Sequence, residues 1–171
     1  MRQLFILPVL LITLLLGTSA VAADFQKGFD AAKRGDFATA LREWEPLAEQ
    51  GDARAQFNLG WMYAEGKGVT KDYEDAVEWF RLAAEQGLAD AQYNLGKMYE
   101  EGKGVIQDYT FSHMWWNIAG SQGKEGARKK RDIVEKKMTS TQIETAQRLA
   151  HECVKKKYKR CDEENPWWKF W

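Results

Sequence analysis

The sequence predicts an all-α fold, an α-α superhelix (solenoid) of about four helix pairs. Three observations carry that prediction. First, Ala55-Gln56-Phe57-Asn58-Leu59-Gly60-Trp61-Met62-Tyr63-Ala64-Glu65-Gly66-Lys67-Gly68-Val69 returns, 36 residues on, as Ala91-Gln92-Tyr93-Asn94-Leu95-Gly96-Lys97-Met98-Tyr99-Glu100-Glu101-Gly102-Lys103-Gly104-Val105. Second, Gln-Gly pairs recur at the same spacing, at Gln50-Gly51, Gln86-Gly87 and Gln122-Gly123. Third, Trp44, Phe80 and Trp116 stand in one register within small and apolar runs. A repeat of this period is one supersecondary unit that cannot bury its apolar face alone, so neighbours stack.

Residues 1–23 read as a signal peptide. Arg2 is basic, Leu4 to Leu16 is apolar apart from Thr13, and Ala20-Val21-Ala22 supplies the small-x-small pattern, with cleavage expected after Ala22 or Ala23. The apolar run is short of the about 20 residues a membrane span needs. The mature chain is therefore expected in the bacterial periplasm or outside the cell.

Residues 24–50 form an N-terminal capping helix pair that turns at Arg34-Gly35-Asp36. Repeat 1 spans 51–86, with helices expected from Ala53 to Ala64 and from Asp72 to Gln86. Gly66 ends the first, because glycine takes the left-handed conformation without strain. Asp72 caps the second, whose first amide groups lack partners. Repeat 2 spans 87–122, with Asp108 as the corresponding cap. Gly60 and Gly96 lie inside helices, where Gly costs about 1 kcal/mol against Ala. That cost at matching positions predicts a helix contact too close for a Cβ atom. Leu59 with Tyr63, and Leu95 with Tyr99, are spaced i, i+4 and predict the core face.

Residues 123–161 supply C-terminal capping helices. Thr139 with Gln142 makes a capping box, and the helix after it is expected from Ser140 to Lys157. Cys153 and Cys161 are even in number in an exported chain, which favours a disulfide. In an unbroken helix residues eight apart lie about 12 Å apart along the axis. A bridge wants Cα atoms within about 7 Å, so the chain must turn back between Lys157 and Cys161. Residues 162–171 are an aromatic tail. Its Trp167, Trp168, Phe170 and Trp171 either cover the end of the solenoid or dock elsewhere.

These residues resemble the Sel-1-like repeat, a relative of the tetratricopeptide repeat. The pattern A-x-A-Q-x-x-L-G-x-x-Y-x-x-G-x-G-V, then D-x-x-x-A-x-x-W and A-A-x-x-G, runs from Ala53 to Gly87 and less fully from Ala89 to Gly123. The second copy departs from it at Ser112 and Gly120. The resemblance implies a non-enzymatic adaptor or regulator that holds another protein. One cysteine-rich branch of the family is associated with penicillin binding and β-lactamase activity. That alternative is disfavoured here, because no cysteine falls within the repeats.

The residues that could carry chemistry point the same way. His113 and His151 have no Ser, Cys or Asp at a triad spacing. Gly66-Lys67-Gly68 and Gly102-Lys103-Gly104 lack the longer frame of a phosphate loop. No metal-ligand spacing appears, so no catalytic residue, metal or cofactor is expected. The charge is split. Residues 24–123 carry 10 basic and 17 acidic side chains, whereas 124–161 carry 13 basic and 5 acidic. A solvated basic face or an anionic contact follows, including attachment to a membrane or envelope surface through this helix and the tail. The expected compartment argues against nucleic acid. The expected partner is a protein or peptide in a groove on the first helices, with Phe57, Asn58, Trp61, Tyr93, Asn94 and Lys97 as the candidate residues.

Overall fold

The structure is a computed structural model that describes residues 23–162. Residues 1–22, where the signal peptide is expected, and the tail aromatics Trp167, Trp168, Phe170 and Trp171 lie outside the described residues. The chain within them forms eight helices and no strand: α1 (Phe25–Lys33), α2 (Phe37–Glu49), α3 (Ala53–Glu65), α4 (Tyr73–Ala84), α5 (Ala89–Glu101), α6 (Tyr109–Ser121), α7 (Glu125–Glu135) and α8 (Ser140–Lys155). None of them is long and apolar enough to cross a membrane.

Aspartates start most of these helices. Asp24, Asp36, Asp52, Asp72 and Asp108 each accept a first-turn backbone N–H on a side-chain oxygen. Thr139 and Gln142 form the reciprocal capping box of α8. Gly66 and Gly102 end α3 and α5 at φ 65° and 64°, the left-handed region that a side chain resists.

The pairs α1–α2, α3–α4 and α5–α6 pack as hairpins, and each second helix packs on the next first helix. The helical glycines set the distance within a pair. A Cβ on Gly28 would lie 2.6 Å from the Trp44 ring, one on Gly60 2.7 Å from Phe80, and one on Gly96 2.7 Å from Trp116. The ring takes the space that a methyl group would fill. Trp44 and Trp116 also donate their indole N–H to the carbonyls of Phe25 and Tyr93.

A glutamine ladder ties one pair to the next. Gln56 donates to the Ala48 carbonyl and Gln92 to the Ala84 carbonyl. Gln86 and Gln122 in turn donate to the side-chain oxygens of Gln56 and Gln92. Arg128 continues the ladder by donating to the Gly120 carbonyl. It stands 36 residues beyond Gln92, just as the fully buried Ala127 stands beyond Ala91 and Ala55. So α7 is the first helix of a further repeat whose sequence has drifted.

The last helix does something else. α8 packs back on α6 and ends at Lys155, two residues before the expected Lys157. Lys157, Tyr158 and Arg160 then adopt φ of 54°, 66° and 51°. These left-handed turns bring Cys161 back to Cys153, Cα to Cα 5.1 Å, in a disulfide.

Candidate functional site

The residue after each packed glycine occupies one position on successive first helices. That position holds Phe29 in α1, Trp61 in α3 and Lys97 in α5, and 36 residues past Lys97 it holds Ile133 in α7. The glycine packs inward on a ring, so its neighbour turns outward. Phe29 is 39% exposed, Trp61 37% and Ile133 48%. Exposed apolar side chains are common singly, but these three fall in one register across the stacked helices. Trp61 leans on Phe37, ring centroids 6.0 Å apart. The Lys33 ammonium sits 4.4 Å over the Phe29 ring. Lys97 is half-exposed and reaches Glu101 at 3.9 Å.

The six candidate groove residues divide into two groups. Phe57 and Tyr93 turn partly inward, against Phe80 at 5.9 Å and Trp116 at 6.4 Å between ring centroids. They belong to the packing beneath the surface rather than to an open groove. Trp61 and Lys97 face outward, and Asn58 and Asn94 lie half-buried beside them. Phe29 and Ile133 were missed by sequence reasoning, although both carried a signal. Gly28 precedes Phe29 as Gly60 precedes Trp61, but a shorter turn in the first pair hides the spacing. Ile133 falls at the 36-residue step in a helix that keeps little of the repeat beyond Ala127.

A second polar arrangement lies at the C-terminal turn. Asp162 is fully buried by its side chain. It accepts the Tyr99 hydroxyl at 2.8 Å and Arg81 Nε at 3.2 Å. Burial and the Asp162 carboxylate hold the Tyr99 phenol well above its usual range. Burial alone would lower the pKa of Arg81, but Asp162, Tyr99 and Glu78 outweigh it and raise it. Glu85 accepts the Arg160 backbone N–H at 2.8 Å and pairs with Lys159 at 3.6 Å. Repeat periodicity gave no hint of Asp162, which lies outside every repeat.

Much of the basic segment meets carboxylates inside the chain. Lys124 pairs with Asp90, and Lys130 and Lys137 with Glu100 at 3.1 and 3.6 Å. His113 is buried, with Nε2 2.7 Å from Glu135 Oε1. His151 lines an open cavity of about 310 Å³ between α6 and α8, with Asn117, Ile118 and Gln147.

Stacked helix pairs with packed glycines and a ladder of side-chain bonds to carbonyls define an α-solenoid of helical repeats. Two stretches, residues 53–88 and 89–124, match the Sel1 repeat. It is similar to the secretory immunoglobulin A-binding protein EsiB of Escherichia coli O6:H1 strain CFT073, 44% identical over 41 residues, which are 24% of this chain and 8% of that protein. The crystal structure of c5321, a protective antigen of uropathogenic Escherichia coli with an SLR fold, superposes with a TM-score of 0.73 at 32% identity. The match covers 81% of this chain and 31% of that one. A Sel1 repeat protein from Oxalobacter formigenes gives 0.61 at 32% identity, over 63% of this chain and 44% of that one. The chain thus spans less than half the length of each of these relatives. Sel1-repeat proteins generally mediate protein–protein interaction.

Proposed function

We propose that this chain is a non-enzymatic binding module that holds a protein or peptide segment on the face of its first helices, in the bacterial periplasm or outside the cell. The observation that carries this reading is the outward column of Phe29, Trp61, Lys97 and Ile133. Exposed apolar side chains in one register are what a partner buries, whereas scattered ones need no explanation. Trp61 is the strongest single candidate, since Trp is favoured as a binding residue. EsiB is named for binding an immunoglobulin, which supports a protein as the partner class.

The test is a pull-down from envelope extract with wild type, Trp61→Ala and the Phe29→Ser/Ile133→Ser pair. The expected result is a partner held by wild type and weakened about tenfold or more by either variant, with helical content unchanged. Retention of every partner by both variants would defeat the proposal. Attachment through the basic segment 124–161 is less favoured, because Lys124, Lys130, Lys137 and Lys159 already pair within the chain. Salt-sensitive binding to anionic liposomes would revive it, with the tail deleted from Pro166 onward as the control. A nitrocefin assay on the purified protein is expected to show no turnover.

A further inference from the structure

The register that holds Trp79 and Trp115 in the two repeats holds Glu43 in α2. Glu43 is 5% exposed, and a carboxylate at that depth needs partners. Lys27 reaches it at 2.6 Å and Arg42 at 3.7 Å from the solvent side. The remaining donor is the backbone N–H of Asp24, 3.2 Å from Glu43 Oε2. Lys27 and then the Asp24 N–H hold the Glu43 carboxyl below its usual range. Ala23, Lys27, Arg42, Glu43 and Pro46 line a cavity at this point. The nitrogen of Asp24 therefore sits on a buried anion one bond beyond the small residues of the leader.

We infer that the Ala23–Asp24 peptide bond is the processing site of this chain, and that the α-ammonium freed on Asp24 docks on Glu43. A leader peptidase hydrolyses the bond with water. The C–N bond breaks, the water oxygen ends on the Ala23 carboxylate, and both water hydrogens end on the Asp24 nitrogen as an ammonium. A neutral N–H donor becomes a cationic one in place, and charge-assisted hydrogen bonds are roughly twice as strong as neutral ones. The Asp24 side chain stays on the amides of Gln26 and Lys27, so the new terminus is held at both its nitrogen and its carboxylate. Processing would in this way tighten α1 against α2. The inference rests on the leader reading of residues 1–23 and is independent of the first-helix binding face.

Mass spectrometry of the exported protein is expected to find Asp24 as the first residue. Two purified forms then test the dock, one with an authentic Asp24 terminus and one acetylated there. The authentic form should melt roughly 2–4 °C higher, and the difference should vanish when both carry Glu43→Gln. A mature chain beginning at Ala23 or elsewhere overturns the assignment of the bond. Equal melting of the two forms, or a difference that survives Glu43→Gln, overturns the dock.

Discussion

α4 and α6 hold the same place in successive repeats, yet among the described residues one outer face is bare and the other is roofed. Position for position, 36 residues apart, Glu78, Trp79 and Leu82 of α4 and Glu85 at its C-cap answer to Met114, Trp115, Ile118 and Ser121 of α6. Leu82 is 45% exposed, whereas Ile118 is 1% exposed. Trp79 is half-buried and Trp115 fully buried. The difference is α8, which lies on α6. Among the described residues, α4 meets instead the turn after α8, through Arg81 and through Glu85 at its C-terminal cap. The inner faces, fixed by glycine and ring, are alike. Outer faces of a solenoid are free to diverge, and their composition reports what covers them.

The largest expected effect follows from this contrast. Trp115→Ala removes a fully buried ring and should cost about 3–5 kcal/mol in urea unfolding. Trp79→Ala, at the matching half-buried position, should cost about half as much or less, because the unburied part of the ring contributes little. Equal losses would break the comparison.

The repeats were legible for physical reasons. Gly60 and Gly96 announced close contacts, and Phe80 and Trp116 are the rings that fill them. Asp72 and Asp108 announced caps, and both accept the expected amides. Cys153 and Cys161 required a turn, which three left-handed residues supply. Other features depend on contacts distant in sequence. No local pattern shows that α8 would fold back on α6, or that Asp162 would be buried against Arg81 and Tyr99, 81 and 63 residues away. Of the proposed column, Trp61 and Lys97 stand out in the sequence because the copies differ there, whereas Phe57 and Tyr93 look alike in sequence and pack against Phe80 and Trp116.

The next effect concerns the turn that reaches α4. Replacing Cys153 and Cys161 by Ser should cost about 2–3 kcal/mol from the lost loop constraint alone. A loss well above that in urea unfolding would show that the bridge also holds Asp162 in place. Asp162→Asn tests that seat directly. It leaves Arg81 without its buried counter-charge and should cost about 1–3 kcal/mol. A Cys-free chain that loses nothing more from Asp162→Asn would show that the seat depends wholly on the bridge.

Tyr99 adds a dependence on pH. Its phenol is held above the ordinary 10.0 by burial and by Asp162. The folded chain therefore keeps a proton that the unfolded chain gives up from about pH 10 upward, so stability falls with rising pH in that range. Below pH 10 the contribution is fully present. Tyr99→Phe should lose about 1 kcal/mol at neutral pH, the worth of one hydrogen bond. It should also flatten the alkaline slope. Parallel alkaline profiles for wild type and variant would mean that Tyr99 is not the group responsible.

The smallest expected effect is the sharpest check on the bare face. Leu82→Ser should change stability by no more than about 0.5 kcal/mol, the usual range for a surface position. Ile118→Ser, one repeat on, should cost several times that, because it puts a hydroxyl under α8. A loss of about 1 kcal/mol or more from Leu82→Ser in the full chain would mean that α4 is covered after all. The last described residues lie beside α4, since Arg160 meets Glu85 and Asp162 meets Arg81, one helical turn nearer the start of α4. Repeating the measurement on a chain that ends at Asp162 then decides the matter. If the cost disappears there, residues 163–171 are the cover and the tail packs on the solenoid. If the cost persists, the cover lies among the residues already described and α4 was never bare.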